Sequence, residues 1–364
     1  MVTAMTAAEG PLALKPDFHE AAARWEAFWQ GEMLDRPPVI ITCPAEGVEP
    51  VGRPTYWDML HDPLDELVEH MDRYMETIYW GGDAVPMFSP GFGPDIFAAF
   101  LGAELEFSRD QEHRTSWAVP FVEDWRDVLP LEIVQNRYWR RMRELVQRMA
   151  EVGEGRWLVS HLDLHSNLDA LESLRGATDL CLDLYEHTEL VERANDQVRD
   201  LYAPIYDTFH EDGAMDRLGT GAGWISAYSD GSCNAIQCDF AALIGPEHFR
   251  RFVLPDLEAE AEHLDHCIYH WDGPTALVHM DDLMAIDAID CIQWVPGSGA
   301  PPLVEWLDLL AEVQERGKSV MAYCSVEELP RFHERLRPDR LFYQTRAADR
   351  EELERTLQWI EDNV

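Results

Sequence analysis

The chain has 364 residues and is strongly acidic, with 29 lysines and arginines against 69 aspartates and glutamates and a formal net charge of −40. Such a surface repels phosphate backbones and anionic lipid head groups, which argues against nucleic acids and membranes as partners. Hydrophobic residues make up 46% of the chain, enough for the core of a large globular protein.

The N-terminal segment and the cysteines indicate a cytoplasmic protein. The segment MVTAMTAAEGPLALKP lacks the basic and apolar regions of a secretory signal, and no stretch approaches the roughly 18 apolar residues of a membrane span. The seven cysteines are odd in number and scattered. We therefore expect free thiols in a reducing compartment.

Eight short apolar runs alternate with longer amphipathic stretches, a pattern typical of parallel strands joined by helices. The predicted strands are Pro38–Cys43, Ala84–Phe88, Trp157–Leu162, Arg217–Gly221, Cys267–His270, Ala288–Trp294, Ser319–Tyr323 and Leu341–Gln344. The predicted helices are Leu64–Trp80, Glu132–Met149, Thr178–His210, Pro246–Leu264, Leu303–Arg316 and Arg350–Ile360.

A doubly wound open sheet is the competing architecture. The first predicted strand is followed by CPAEGVEP, without the GxGxxG turn that binds dinucleotides. We therefore predict an α/β fold, a single (β/α)₈ TIM barrel over residues 1–364. An N-terminal helical extension to about residue 35 and an insertion at 89–155 complete the predicted organisation.

Polar and aromatic side chains follow the predicted strands, where the loops of a barrel converge on one pocket. Candidate substrate-binding residues at these positions are Trp224, Tyr228, Gln293, Trp294 and Arg346. Tryptophans such as Trp224 and Trp294 are more often part of the core at the barrel mouth than platforms for a substrate.

His270, Asp272 and Cys324 form the sharpest candidate site. Residues two apart on a strand face the same side, so His270 and Asp272 can point at one ion, and Cys324 follows a strand two places later. An imidazole, a carboxylate and a thiolate make a three-ligand Zn²⁺ site with an open position. The alternative is a chance His-x-Asp pair beside a buried thiol.

Asp163 and His165 are candidate catalytic residues, because an imidazole near a carboxylate is suited to general acid–base catalysis. The alternative is that Asp163 orients local backbone and His165 packs. Asp239 is expected to hydrogen-bond loop backbone, and Cys238 is a weaker candidate for a further metal ligand.

Residues 238–320 resemble the uroporphyrinogen decarboxylase superfamily, which includes the decarboxylase and zinc-dependent, corrinoid-linked methyltransferases. The segments FGPDIFAAFLGAEL, DLHSNLDALESLRG and DLYEHTELVE agree, so the resemblance spans roughly residues 20–363. It implies the (β/α)₈ fold. The decarboxylase branch carries an arginine-rich motif after the first strand, where this chain has only Arg53, so uroporphyrinogen itself is disfavoured as substrate.

The methyltransferase branch implies a zinc site that activates a thiol acceptor. His270 and Cys324 match its histidine and later cysteine, whereas Asp272 stands where the branch has a cysteine. A hard oxygen thus replaces a soft sulfur, which leaves the metal and the acceptor open.

The leading hypothesis is a metal-dependent methyl or alkyl transferase with a small-molecule substrate and a corrinoid carried by a separate protein; a homodimer is left open. The alternative is a metal-free decarboxylase or lyase that acts on a small carboxylate substrate, with Arg346 binding the carboxylate. A barrel that has lost catalysis and only binds a ligand is the third hypothesis.

Overall fold

A computed structural model describes residues 10–108 and 115–364. The strands in these residues are β1 (Val39–Pro44), β2 (Ile78–Gly82), β3 (Met87–Phe88), β4 (Glu104–Phe107), β5 (Ser116–Val119), β6 (Leu158–Val159), β7 (Thr220–Ala222), β8 (Ile225–Ser229), β9 (Cys233–Gln237), β10 (His266–Asp272), β11 (Cys291–Val295), β12 (Ser319–Tyr323) and β13 (Leu341–Arg346).

The α-helices of the same residues surround these strands. They are α1 (Phe18–Trp29), α2 (Tyr56–His61), α3 (Leu64–Glu76), α4 (Ile96–Phe100), α5 (Trp125–Val128), α6 (Arg137–Gly153), α7 (Asn167–Arg175), α8 (Ala177–Glu186), α9 (Thr188–Asp212), α10 (Pro246–His248), α11 (Leu254–Glu262), α12 (Met280–Met284), α13 (Leu307–Glu315), α14 (Leu329–Arg335) and α15 (Arg350–Asn363).

Seven strands form one sheet in the order β2-β1-β13-β12-β11-β10-β9. All its neighbouring pairs are parallel except β1 and β2. The short strands β3 and β6 form a separate parallel pair, and the His161 amide after β6 donates to the Gly221 carbonyl of β7. This alternation of parallel strands with helices confirms the predicted α/β class.

The fourth barrel strand differs from the prediction. The strand that pairs with β10 is β9, whereas the predicted Arg217–Gly221 overlaps only the short β7, which forms an antiparallel hairpin with β8. All five residues of β9 are buried, including Asn234 and Gln237. Because neither face meets water, β9 shows no alternation of polar and apolar residues that would reveal it in the sequence.

The helix predicted over Leu64–Trp80 is also shorter than expected. Helix α3 ends at Glu76, and Ile78 begins the antiparallel strand β2. Gly82 lies at φ +57°, and a Cβ there would meet the Val39 carbonyl oxygen at 2.4 Å. This close approach lets β2 run along β1, and the β-favouring residues Tyr79 and Trp80 fit the strand.

Helix α1 covers the end of the barrel at which the strands begin. Trp25 packs on Phe342, near the start of β13, with ring centroids 5.2 Å apart. Trp29 stacks on His266, the first residue of β10, and donates through its indole nitrogen to the Tyr228 carbonyl. The predicted N-terminal helical extension thus closes one end of the barrel, and its residues 1–9 lie outside the described part of the chain.

A buried ion pair fixes the start of β1 against this cap. The Asp83 carboxylate accepts from the Val39 amide at 2.8 Å and pairs with Arg36 and Arg24. Burial of a charge is tolerated here because every oxygen of the carboxylate has a cationic or amide donor.

The predicted insertion at 89–155 contains the β4–β5 hairpin and helices α4 to α6. Residues 109–114 of this insertion lie outside the described part. Across 10–108 and 115–364, none of the helices combines the length and the apolar character that crossing a membrane requires.

We predict that His161 makes the fold sensitive to acid. Its ring is fully buried against Tyr206, and burial lowers its pKa from 6.5 to about 3. Below pH 6.5, His161 therefore becomes protonated in the unfolded chain but stays neutral in the folded chain. This one group should reduce the free energy of unfolding by about 1.4 kcal/mol per pH unit between these two pKa values.

The measurement is urea unfolding between pH 7 and pH 4 for the wild type and His161→Gln. Glutamine can still donate to the Tyr206 carbonyl, which now lies 3.1 Å from His161 Nε2. The variant should lose less stability on acidification. Equal slopes for the two proteins would contradict the prediction.

Candidate metal site at the barrel mouth

Three ligand-type side chains meet where β9 and β10 end. Within the described ranges, one ligand atom each of Asp239, His270 and Asp272 lies within 4.8 Å of the others. His270 and Asp272 alternate along β10 and so face the same side, while Asp239 begins the turn just after β9. The parallel register between β9 and β10 brings the three side chains together.

The Asp272 carboxylate shows that this group suits a cation. Its Oδ1 is buried and has no hydrogen-bond partner among the described residues. Burial raises the Asp272 pKa, and the nearby Asp239 charge raises it further. A bound divalent ion would satisfy the orphaned oxygen and offset the repulsion between the two carboxylates.

The His270 imidazole is oriented by β11. Its Nδ1 lies 2.6 Å from Gln293 Oε1, so Nδ1 carries the proton and Nε2 is free to bind a metal. Gln293 is the register partner of His270 across the two strands. An acceptor behind one imidazole nitrogen is the usual outer-shell support of a metal-binding histidine.

Cys324 does not join this group. The ligand cluster of the described residues contains Asp239 in its place. The Cys324 thiol is buried, and burial, with a smaller contribution from Glu328, raises its pKa to about 12. The structure therefore brings two of the three predicted metal ligands together. Neither Cys324, the third predicted ligand, nor the weaker candidate Cys238 belongs to the group. Cys238 directly precedes Asp239 and is buried.

The two candidate catalytic residues lie next to the metal group. His165 Nε2 is 3.2 Å from Asp163 Oδ1, and His165 Nδ1 is 3.7 Å from Asp169 Oδ2. Burial alone would lower the His165 pKa, but the charges of Asp163 and Asp169 raise it to about 10. Gln237 Nε2 donates to Asp163 Oδ1 at 3.3 Å and helps to hold this pair.

A buried network supports the loop that carries His165. Asn167 Nδ2 donates to the Gln237 carbonyl at 2.8 Å, and Ser166 Oγ donates to Glu260 Oε1 at 2.5 Å. Asn167 lies at φ +47°, a left-handed conformation that costs energy for a non-glycine residue. The three hydrogen-bonding side chains hold the loop in this strained form.

A cavity of about 330 Å³ opens beside His270. It is lined by Trp224, Gln293 and Trp294, three of the predicted substrate-binding residues, and the Trp224 ring lies edge-on to His270 at 5.5 Å. Gln344 also lines it, and the Gln344 Oε1 atom is buried and has no hydrogen-bond partner in the described ranges.

The other two predicted substrate-binding residues are not part of this cavity. Tyr228 lies at the far end of the hairpin, where its hydroxyl donates to the Leu218 carbonyl at 2.7 Å and its ring contacts Phe18. This follows from the shifted fourth strand, because the chain turns at Trp224 and runs back down. Arg346 is exposed at the end of β13, outside the cavity lining.

Sequence reasoning missed two residues of the site. Asp239 was expected to bond loop backbone, and Asp169 was not singled out at all. In the structure Asp169 accepts from the Asp239 and Phe240 amides at 2.9 and 2.8 Å. The available signal was that Asp169, in the first turn of α7, lies only four residues after His165 in the loop before this helix.

We predict that Asp239→Asn weakens zinc binding at least tenfold, whereas Cys324→Ser leaves it unchanged. Asparagine removes a charge from the ligand group, while serine alters a thiol outside it. Isothermal titration of metal-stripped protein with Zn²⁺ measures both. Loss of binding in Cys324→Ser with full binding in Asp239→Asn would restore the ligand set expected from the sequence.

A second prediction concerns Gln293. Replacing it with leucine leaves His270 Nδ1 without its acceptor and frees the ring to rotate, so zinc affinity should fall about 10–100-fold. Gln293→Glu keeps an acceptor at the same place and should retain most of the affinity. The same titration compares the two variants, and equal affinities would show that Gln293 does not orient the ring.

Comparisons with known proteins place the fold. No family model matches the sequence, and no curated protein matches it. A methyltransferase from Methanosarcina mazei is similar in structure, with a TM-score of 0.61 and 15% identity over 94% of this chain and 98% of that chain. A B12-independent methionine synthase from a Shewanella species gives a TM-score of 0.41 and 12% identity, over 91% and 96%. The chain thus has the fold of the Methanosarcina methyltransferase, which confirms the barrel expected from the superfamily resemblance.

Proposed function

We propose that the protein is a metal-dependent methyltransferase whose ion is held by His270, Asp272 and Asp239. The observation that carries the proposal is the buried Asp272 Oδ1, which has no partner in the described ranges and lies beside an imidazole with a free nitrogen. The fold shared with a methyltransferase supports the reaction class.

The ligand set favours Zn²⁺ or another divalent ion of borderline hardness, because it offers one nitrogen and two carboxylate groups. A bound ion of this kind would supply Lewis acidity to a methyl acceptor. Since the ligands carry two negative charges, the site would tolerate a neutral or anionic acceptor once the ion is present.

The chain's own residues would bind and orient that acceptor. Trp224 and Trp294 give the cavity apolar walls that exclude water, and Gln344, whose Oε1 has no partner in the described ranges, would accept a hydrogen bond from the acceptor. Asp163 and His165 lie beside the metal group, where they can take up and return the acceptor's proton.

The methyl donor is best supplied from outside the barrel. A cavity of about 330 Å³ fits a small acceptor and is too small to enclose a corrinoid as well. A corrinoid presented at the mouth by a separate protein agrees with this geometry. It also agrees with the family resemblance in the sequence.

The test uses zinc-loaded protein with free methylcobalamin as donor and 2-mercaptoethanol as acceptor. We expect loss of the methyl–cobalt absorption that depends on protein and zinc. His270→Ala should abolish both zinc binding and turnover. His263→Ala is the matched control, because this histidine pairs with Asp207 at the surface, away from the site.

Two results would contradict the proposal. One is a purified protein that binds no divalent ion with micromolar or better affinity. The other is methyl transfer that persists undiminished in His270→Ala and after treatment with a chelator.

A further inference from the structure

A second imidazole in the site has the same arrangement as His270. His165 has an acceptor behind one ring nitrogen, since Nε2 lies 3.2 Å from Asp163 Oδ1. Its other nitrogen, Nδ1, faces Asp169. In both histidines a side-chain oxygen therefore lies against one nitrogen and leaves the other available to a metal ion, as in metal sites with carboxylate–histidine support.

The distance between His165 Nδ1 and Asp169 Oδ2 is 3.7 Å, too long for a hydrogen bond. Two ligand atoms about 2.1 Å from one ion, at tetrahedral to trigonal angles, are about 3.4–3.6 Å apart. The spacing is therefore closer to that of two ligands on a shared ion. In the described ranges His165, Asp169 and Asp239 form a group with ligand atoms within 4.8 Å of one another.

Negative charge is concentrated around this group. Burial raises the Asp169 pKa to about 6, with a further contribution from the Asp239 charge. Burial also raises the pKa of Glu172, one turn along α7, to about 7, and the Asp169 charge adds to this shift. Asp169 is buried, Glu172 is half-buried and Asp239 is exposed. A cation among these carboxylates would relieve their mutual repulsion.

We propose that His165, Asp169 and Asp239 hold a second divalent ion, so that Asp239 bridges two ions across the barrel mouth. The Asp169 oxygens each accept one backbone amide and retain a lone pair for a metal. Carboxylate-bridged ion pairs with separations of about 3.5–4 Å are a known catalytic arrangement. The proposal rests on the proposed function, because it takes the first ion at His270 and Asp272 as given.

A second ion changes the part played by His165. With Nδ1 on the ion, the Nε2 proton remains on the hydrogen bond to Asp163, and the imidazole is neutral. His165 then serves as a ligand, and Asp163 as the group that orients it.

The experiment counts ions in the full-length protein. Metal-stripped protein is saturated with Zn²⁺, desalted, and analysed by mass spectrometry for zinc per chain. We expect two ions in the wild type, one in His165→Gln and one in His270→Ala. His263→Gln, at the surface, should keep two. Circular dichroism of each variant checks that the fold is retained.

A second measurement does not depend on stripping or on stable loading. Titration with Mn²⁺ followed by electron paramagnetic resonance should show a spin-coupled pair as the second equivalent binds. The coupled signal should be lost in Asp239→Asn, which removes the bridge, and in His165→Gln.

The outcomes separate this proposal from the proposed function. One zinc per chain that is lost in His270→Ala and kept in His165→Gln overturns the second ion and leaves the proposed function standing. One zinc that is lost in His165→Gln and kept in His270→Ala overturns the site of the proposed function and, with it, the bridged pair. Two zincs per chain, together with no spin coupling between the two Mn²⁺ ions in the manganese titration, would overturn the bridging role of Asp239.

Discussion

Two backbone hydrogen bonds to the Asp169 carboxylate hold the candidate site together. This carboxylate is buried at the start of α7 and accepts the amides of Asp239 and Phe240 after β9. It thereby sets where the Asp239 side chain lies relative to β10. Without these bonds the turn after β9 would be free to move Asp239 away from His270, and the two ligand groups would no longer share a residue.

The parallel register of the sheet positions other side chains of the site relative to one another. Gln237, His270 and Gln293 are register partners on three neighbouring strands, so their side chains lie at one level of the barrel interior. The two glutamines each hold a site group by a single hydrogen bond: Gln237 holds Asp163, and Gln293 holds His270. A row of amides across a rigid sheet positions ligands more accurately than loops alone would.

Much of the fold could be predicted from the sequence, because strands such as β1, β12 and β13 are apolar runs bounded by clear turns. Strand β9 could not, since its buried Asn234 and Gln237 look like loop residues until their partners in the fold are known. The site, like the fold, was predictable where neighbouring residues decide it and not where distant contacts do. His270 and Asp272 share a strand, so their spacing alone brings them together, whereas Asp239 joins them through a contact with the distant Asp169. Cys324 was expected from its place after a predicted strand and from the resemblance, and its burial with a protonated thiol depends on packing that no local pattern shows.

The cap formed by helix α1 bears on the order in which molecules bind at the opposite end of the barrel. Trp25 and Trp29 close the barrel where the strands begin, so the mouth beside His270 is the open end for small molecules to enter and to leave. A protein that docks at this mouth to deliver a group would cover the same opening. With such a carrier, the small acceptor would have to bind first and the carrier second, and the product would be released only after the carrier had departed.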